Sequence, residues 1–156
     1  MKISGIEITP PEPVIVVIPR GDQKIVITAC PVLDYDDFDK LCPTPKPPWV
    51  RERNKDPYEN PEDPEYKKQV DAWSIKRAAW SFLKSIEDSG IEWETVKMGD
   101  PETWENYETE LSSCGFTIIE KLSIMQAVAE ATGLTRDKID RATEAFLVEK
   151  QEANEK

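Results

Sequence analysis

The chain has 156 residues, of which 33% are charged and 38% hydrophobic, and its net charge at pH 7 is −11. This composition is typical of a soluble globular protein, and the excess of acids argues against nucleic acid and anionic membrane surfaces as partners. The sequence has no histidine, and its three cysteines show no CxxC spacing. We therefore expect no catalytic residues, no metal site, no cofactor and no disulfide framework.

No segment directs the chain out of the cytoplasm. The N-terminus lacks the apolar region of a signal peptide, and no stretch approaches the roughly 18 consecutive apolar residues of a membrane span. An odd number of cysteines is typical of reduced thiols. We therefore expect a cytoplasmic protein.

The first third of the chain is rich in β-branched residues and predicts strands. Val14–Pro19 and Lys24–Ala29 flank the sequence RGDQ, whose glycine is typical of a hairpin turn. Ile3–Thr9 alternates more weakly and predicts a third strand, and Asp34–Leu41 predicts a short helix. We expect residues 1–42 to form a β-rich N-terminal part.

A proline-rich strap, residues 43–63, follows this part. It contains the sequence PKPP, which has the PxxP spacing of polyproline ligands, with Arg51 nearby. One interpretation is a stiff spacer with Trp49 packed on the body, and the other is a ligand for an aromatic groove of another protein. We favour the spacer, because proline runs of this length are common in linkers.

The sequence Asp63-Pro64-Glu65 predicts the start of a long helix, with an Asp N-cap, a proline at the first position and an acid in the first turn. The helical pattern continues to Ser89, and Gly90 follows as a C-terminal stop. Two adjacent apolar stripes predict that this helix is central to the core. The stripes comprise Ala72, Ile75, Ala79, Phe82 and Ile86, and Tyr66, Val70, Trp73, Trp80 and Leu83.

Further elements complete a helical body, residues 64–150. The short alternating segment Ile91–Met98 predicts a strand or an extended crossing. Asp100-Pro101-Glu102 repeats the helix-start pattern, and Thr117 with Glu120 predicts a capping box at the start of another helix. The apolar stripe of that helix comprises Ile118, Leu122, Met125 and Ala129.

The C-terminal part predicts one more helix and a tail. Thr135 is its expected N-cap, and we expect Leu134 to pack on Ile139 as a hydrophobic staple and Phe146 to continue the apolar face. Residues 151–156 are expected to fray. The predicted fold class is α+β: an N-terminal β-hairpin or small antiparallel sheet, followed by a bundle of about four helices, in one domain overall.

Five tryptophans are the main candidates for a binding surface. Trp73 and Trp80 share a helix face with Arg77, which predicts either core packing or a stacked guanidinium. Two further tryptophans lie within Glu87–Glu110, where nine acids accompany one base; this pattern suits a partner with apolar and basic segments, or a solvated acidic face with its tryptophans turned inward. The candidate partner-binding residues are Trp49, Trp73, Trp80, Trp93, Trp104 and Tyr107.

The order of these elements resembles that of the tail assembly chaperones of long-tailed bacteriophages. The hairpin VIVVIPRGDQKIVITA resembles their opening strands, and Gly90–Val96 resembles their Gly-Trp crossing, here with Trp93 displaced from the glycine. A short acidic helix, a long helix and later helices that open with GFT…E complete the similarity. The resemblance covers most of the chain, and the CPTPKPPW insertion departs from the typical pattern.

The resemblance implies a non-enzymatic protein in the host cytoplasm that coats the long, apolar tape measure protein before the tail tube closes around it. The implied partners are the tape measure protein and the tail tube protein, and a homo-oligomer stays open. An acidic body with a helical apolar groove suits this role, because its charge keeps the complex dispersed. The alternatives are a small phage structural protein, such as a neck or tail-completion subunit, and an acidic inhibitor that mimics DNA.

Overall fold

A computed structural model describes residues 2–7, 11–53, 55–133, 143–144 and 147. The predicted α+β class is confirmed, since an antiparallel two-stranded sheet precedes the helices. The predicted staple and N-cap of the last helix and the tail lie outside the described residues. The strands are β1 (Lys2–Ile3), β2 (Ile6–Glu7), β3 (Val14–Arg20), β4 (Gln23–Ala29), β5 (Trp49–Val50) and β6 (Tyr58–Glu59), and the helices are α1 (Asp36–Leu41), α2 (Pro64–Ser85), α3 (Asn106–Ser113) and α4 (Ile118–Thr132).

The hairpin predicted in the first third is formed by β3 and β4. Its register runs from Val14 opposite Ala29 to Arg20 opposite Gln23, which leaves a two-residue turn. Gly21, at the first position of that turn, has φ +58°, as a type II′ turn requires. One face of the hairpin packs against α4; its residues are Val14, Val16, Ile18, Ile25, Ile27 and Ala29.

The third strand predicted over Ile3–Thr9 is wrong in its extent. Ser4 and Gly5 both have positive φ, 51° and 86°, so the chain turns back on itself there. β1 and β2 pair only with each other, as a short separate hairpin. Residues 8–10 are outside the described part.

The strap contains structure of its own, because β5 and β6 pair as a small hairpin. The backbone N–H of Asn60 donates to the carbonyl of Pro48 at 2.9 Å, which holds the base of this hairpin. The indole Nε1 of Trp73 donates to the carbonyl of Cys42 at 2.9 Å, which fixes the N-terminal end of the strap on α2. The strap is therefore attached at both ends, and Trp49 is 65% exposed instead of packing on the body.

The predicted start of α2 is confirmed, and its end comes earlier than predicted. The carboxylate of Asp63 caps the helix by accepting from the N–H of Tyr66 at 2.9 Å. At the other end, the carbonyl of Ser85 accepts a hydrogen bond from the N–H of Cys30 at 2.7 Å. The N–H of Ser89 donates to the carbonyl of Ile86 at 2.9 Å. The carbonyl of Ser85 therefore bonds to Cys30, in a distant part of the same chain, and not to the helical N–H of Ser89. The residues that follow form a 3₁₀ turn over Glu87–Ser89.

Only the second half of α2 is central to the core. Ala72 and Ile75 are exposed, whereas the buried residues begin at Ala79. One side of this half contacts α4, and the other side joins an aromatic cluster around Phe38 of α1. The ring of Phe38 lies 5.6 Å from Trp73, 5.7 Å from Trp80 and 5.8 Å from Trp104, between ring centres.

The helix predicted from Asp100-Pro101-Glu102 begins later, at Asn106. The N–H groups of Asp100, Thr103 and Asn106 each donate to a carbonyl three residues earlier, so the chain runs through successive turns. The indole of Trp104 donates to the carbonyl of Met98 at 3.1 Å, which ties this ring to the turns. Ile91–Met98 forms no strand in the described structure and crosses as irregular chain.

The capping box predicted for α4 is confirmed, and the apolar stripe predicted for this helix is exposed. The Thr117 hydroxyl accepts from the N–H of Glu120, and the Glu120 carboxylate accepts from the N–H of Thr117. α4 carries apolar residues on two faces. The sheet and α2 contact the face that does not include the predicted stripe. The buried residues are Ile124, Ala127, Val128 and Ala131, while Ile118, Leu122, Met125 and Ala129 are exposed.

Candidate partner-binding groove

The exposed stripe of α4 is the most prominent apolar surface feature of the helices. Ile118 and Ile119 are each 71% exposed and Leu122 is 55% exposed, all within the first two turns. Single exposed apolar residues are ordinary, but a contiguous group of this kind typically marks an interaction site.

Ile118, Leu122 and Met125 form one wall of a hollow between α2, α3 and α4, which we call the apolar groove. Its cavity volume is about 170 Å³. The rings of Phe82 and Tyr107 stack at its base, with centres 4.5 Å apart and an interplanar angle of 27°. The groove is lined by Phe82, Tyr107, Glu108, Leu111, Ile118, Lys121, Leu122 and Met125.

A tight turn between α3 and α4 places the two walls next to each other. Gly115 has φ +82°, and the N–H groups of Gly115 and Phe116 donate to the carbonyls of Ser112 and Leu111. This is the Schellman arrangement, which ends a helix at a residue in the left-handed conformation. Leu111 and Ile118 therefore face one groove from two helices.

The hairpin fixes the start of α4 through Arg20. Its Nη2 donates to the carbonyl of Gly115 at 3.0 Å and to Oε2 of Glu120 at 2.9 Å. The guanidinium also lies over the ring of Phe116, 5.2 Å from the ring centre. The wall that carries Ile118 is thus held on the sheet as well as on α3.

Tyr107 contributes its ring to the groove and keeps its hydroxyl proton. Burial, followed by the charge of Glu108, raises the pKa of Tyr107 to about 12. The hydroxyl donates to Oε1 of Glu108 at 3.2 Å. The phenol is therefore neutral at physiological pH, which suits an apolar contact surface and gives no nucleophile.

A second hollow extends this surface along α2. It has a cavity volume of about 230 Å³ and shares Tyr107 and Glu108 with the apolar groove. Ile75, one of the exposed residues on the first half of α2, forms part of its lining. The apolar surface therefore continues from α4 past α3 to α2.

The rim of this surface is acidic on the α3 side. Glu105 and Glu108 are exposed, and no salt bridge within the described structure involves either of them. On the α4 side, Nζ of Lys121 donates to Oγ of Ser112 at 3.0 Å. A ligand with apolar side chains and a basic group on the α3 side fits this distribution of charge.

The tryptophans predicted as binding residues do not form one surface. Trp104 is fully buried in the core, and Trp80 is 3% exposed, at the edge of two hollows beside Lys84. Trp73 and Trp93 are half-buried and pack against the core. Of the six candidates only Tyr107 lines the groove, and Trp49 is exposed elsewhere, on the strap.

The stacked guanidinium predicted for α2 is present. Arg77 lies over the ring of Trp73, 5.2 Å from its centre, and closer over Tyr35, at 4.1 Å. Both rings belong to the aromatic cluster or its edge. The stack therefore joins residues of this chain to one another, at the boundary between the aromatic cluster and solvent.

Sequence reasoning missed most of the groove. It grouped Ile118, Leu122 and Met125 correctly as one stripe, but did not say whether that stripe is buried or exposed. The available signal was the second apolar stripe of α4, through Ile124 and Val128, because a helix that is apolar on two faces leaves one of them for another contact.

Neither a protein-family model, nor a curated protein, nor a solved structure matches the chain. In the part that the structure describes, no helix has both the length and the apolar content to cross a membrane. Over the same residues, no three side chains of His, Cys, Asp or Glu come together as metal ligands would.

Proposed function

We propose that the protein is a non-enzymatic assembly chaperone or adaptor that binds an apolar helical segment of a partner in the apolar groove. The resemblance in element order to phage tail assembly chaperones makes the tape measure protein the proposed partner, with the tail tube protein as a second one. The binding takes place in the host cytoplasm in this proposal.

The observation that carries the proposal is the group of exposed residues Ile118, Ile119 and Leu122 at the apolar groove, whose base is formed by two stacked aromatic rings. Proteins that recognise amphipathic helices use such apolar grooves and take up side chains spaced three or four residues apart. The groove and the adjoining hollow offer two apolar recesses that share one aromatic ring, Tyr107.

Charge supports the same role. The whole chain carries a net charge of −11, so a complex with an aggregation-prone partner repels other copies of itself. Glu105 and Glu108 favour a partner helix with Lys or Arg beside its apolar face.

Co-expression with the longest neighbouring open reading frame, as the tape measure candidate, tests the proposal. We expect the wild-type protein to co-purify with it and to raise its soluble fraction. Leu122→Glu places a charge in the groove and abolishes both effects, because the charge must be desolvated on binding. Thr109→Glu adds the same charge to an exposed site on α3 outside the groove and leaves both effects intact.

Two outcomes contradict the proposal. One is a partner that stays insoluble and does not co-purify with the wild-type protein. The other is binding that survives Leu122→Glu, which moves the contact away from the groove. The alternative of a virion subunit predicts the protein in mass spectra of purified particles, whereas a chaperone is absent from them.

A further inference from the structure

The strap carries an exposed aromatic side chain that the proposed function does not use. Trp49 is 65% exposed, on the first strand of the β5–β6 hairpin, and we call residues 49–53 and 55–59 the Trp49 hairpin. An exposed tryptophan on a hairpin held at its base is an unusual use of the largest apolar side chain. Tryptophan is also the residue most often found as an energetic anchor in interfaces.

The Trp49 hairpin carries three bases and three acids, and its two arginines are available to a partner. Arg51 and Arg53 are exposed, and neither forms a salt bridge in the described ranges. The third base, Lys55, is already engaged by Glu52. Across the hairpin, Glu59 lies opposite Trp49.

The groove has the complementary arrangement. Its α3 side carries Glu105 and Glu108, which form no salt bridge in the described structure, although the charge of Glu105 also acts on Lys76, and its α4 side carries Lys121. A tryptophan with arginines on one side and a glutamate on the other therefore matches an aromatic hollow with glutamates on one wall and a lysine on the other.

Trp49 does not occupy the groove of its own chain. The bond between Asn60 and Pro48 closes the base of the Trp49 hairpin, and the bond from Trp73 to Cys42 fixes the N-terminal end of the strap beside the middle of α2. Trp49 is not among the residues that line the groove, and its side chain is 65% exposed. The groove of a second copy can receive this side chain while those bonds stay in place.

We propose that the Trp49 hairpin of one copy inserts Trp49 into the apolar groove of a second copy, so that the protein associates with itself and covers its own binding surface. The indole packs on the stacked rings of Phe82 and Tyr107, with Arg51 and Arg53 toward Glu105 and Glu108. The proposal rests on the same groove as the proposed function and adds its regulation, because a partner must displace the hairpin.

Sedimentation analysis over a range of protein concentrations tests this association. We expect the wild-type protein to form dimers or larger species, and Trp49→Ala to weaken the association by about tenfold or more, as the loss of an interface anchor does. Leu122→Glu weakens it from the groove side. Thr109→Glu serves as the matched control and associates like the wild type.

A mixing experiment identifies the contact. Trp49→Ala has an intact groove, and Leu122→Glu has an intact Trp49 hairpin. Each is expected to be monomeric alone, and an equimolar mixture is expected to form a one-to-one complex that grows no further. This result requires a contact between two different surfaces, which a symmetric contact of one surface with itself does not give.

Three results overturn the self-association. They are a wild-type protein that stays monomeric at high concentration, a Trp49→Ala variant that associates like the wild type, and a mixture of the two variants that stays monomeric. If the monomeric wild type still solubilises the tape measure candidate, the proposed function stands without this regulation. If the wild type associates with itself but does not bind the tape measure candidate, the proposed function is wrong and the self-association stands.

Discussion

Arg20 and Glu120, 100 positions apart in the sequence, join the turn of the β3–β4 hairpin to the first turn of α4 through a 2.9 Å ion pair. Glu120 also accepts from the N–H and the hydroxyl of Thr117, at 2.7 Å and 2.9 Å. One carboxylate therefore caps a helix and attaches the sheet to it.

This arrangement predicts a loss of stability in acid. The N–H of Thr117 holds the pKa of Glu120 below its ordinary value of 4.5, with Arg20 adding to the effect. A group whose native pKa is depressed stabilises the fold fully above its unfolded pKa, and this stabilisation is lost as the pH falls through the native pKa. Urea unfolding at a series of pH values below 4.5 measures the loss.

The matched variant for this measurement is Glu120→Gln. The amide keeps a hydrogen-bond acceptor at the cap but does not titrate, so the variant is less stable than the wild type at neutral pH and its stability falls less between neutral and acid pH. Equal acid slopes in the two proteins would show that Glu120 does not couple to folding. Lys40→Gln, which removes the exposed partner of Asp37, serves as a surface control.

The end of α2 predicts a large effect of a small substitution. Ser85 is buried, and its hydroxyl donates to the carbonyl of Cys30 at 2.7 Å. Ser85→Ala leaves that carbonyl without this donor, which costs about 1–3 kcal/mol of unfolding free energy. Ser74→Ala, on the exposed side of the same helix, is expected to leave the free energy nearly unchanged in urea unfolding. A loss of equal size in both variants contradicts the role given to Ser85.

Trp104 is predicted to act on stability and not on binding. Its ring is fully buried beside Phe38, and its indole donates to the carbonyl of Met98. Trp104→Ala is expected to lower the unfolding free energy by about 3–5 kcal/mol, the usual cost of removing a buried aromatic residue. Trp49→Ala, on the exposed strap, is expected to stay within about 0.5 kcal/mol of the wild type. Similar losses in chemical unfolding would show that Trp49 packs on the body.

The elements that sequence reasoning predicted well depend on local chemistry. The Gly21 turn, the Asp63 cap and the Thr117–Glu120 capping box each involve residues within four positions of one another, and all three are present. The predictions that failed depend on distant contacts. The end of α2 is set by Cys30, far away in the sequence, and no local pattern carries that information.

The candidate site was harder to predict for a related reason. Periodicity shows which residues share a face of a helix, but not which face another element covers. For α4 the covering element is the β3–β4 hairpin, which selects the stripe of Ile124 and Val128 and leaves Leu122 outside. The tryptophans left the same choice open, because a large aromatic residue is suited equally to a core and to an interface.

Leu122 and Ile124, two residues apart on α4, provide the most direct test of this assignment. Ile124 is 1% exposed and Leu122 is 55% exposed, so truncation to alanine has different consequences at the two positions. Ile124→Ala leaves a cavity between α4, the sheet and α2 and is expected to lower the unfolding free energy by about 2–5 kcal/mol. Leu122→Ala is expected to cost less than about 1 kcal/mol, because more than half of its surface stays in contact with water in the folded protein. If urea unfolding shows the larger loss for Leu122→Ala, the stripe that lines the groove belongs to the core and the groove is not a free surface.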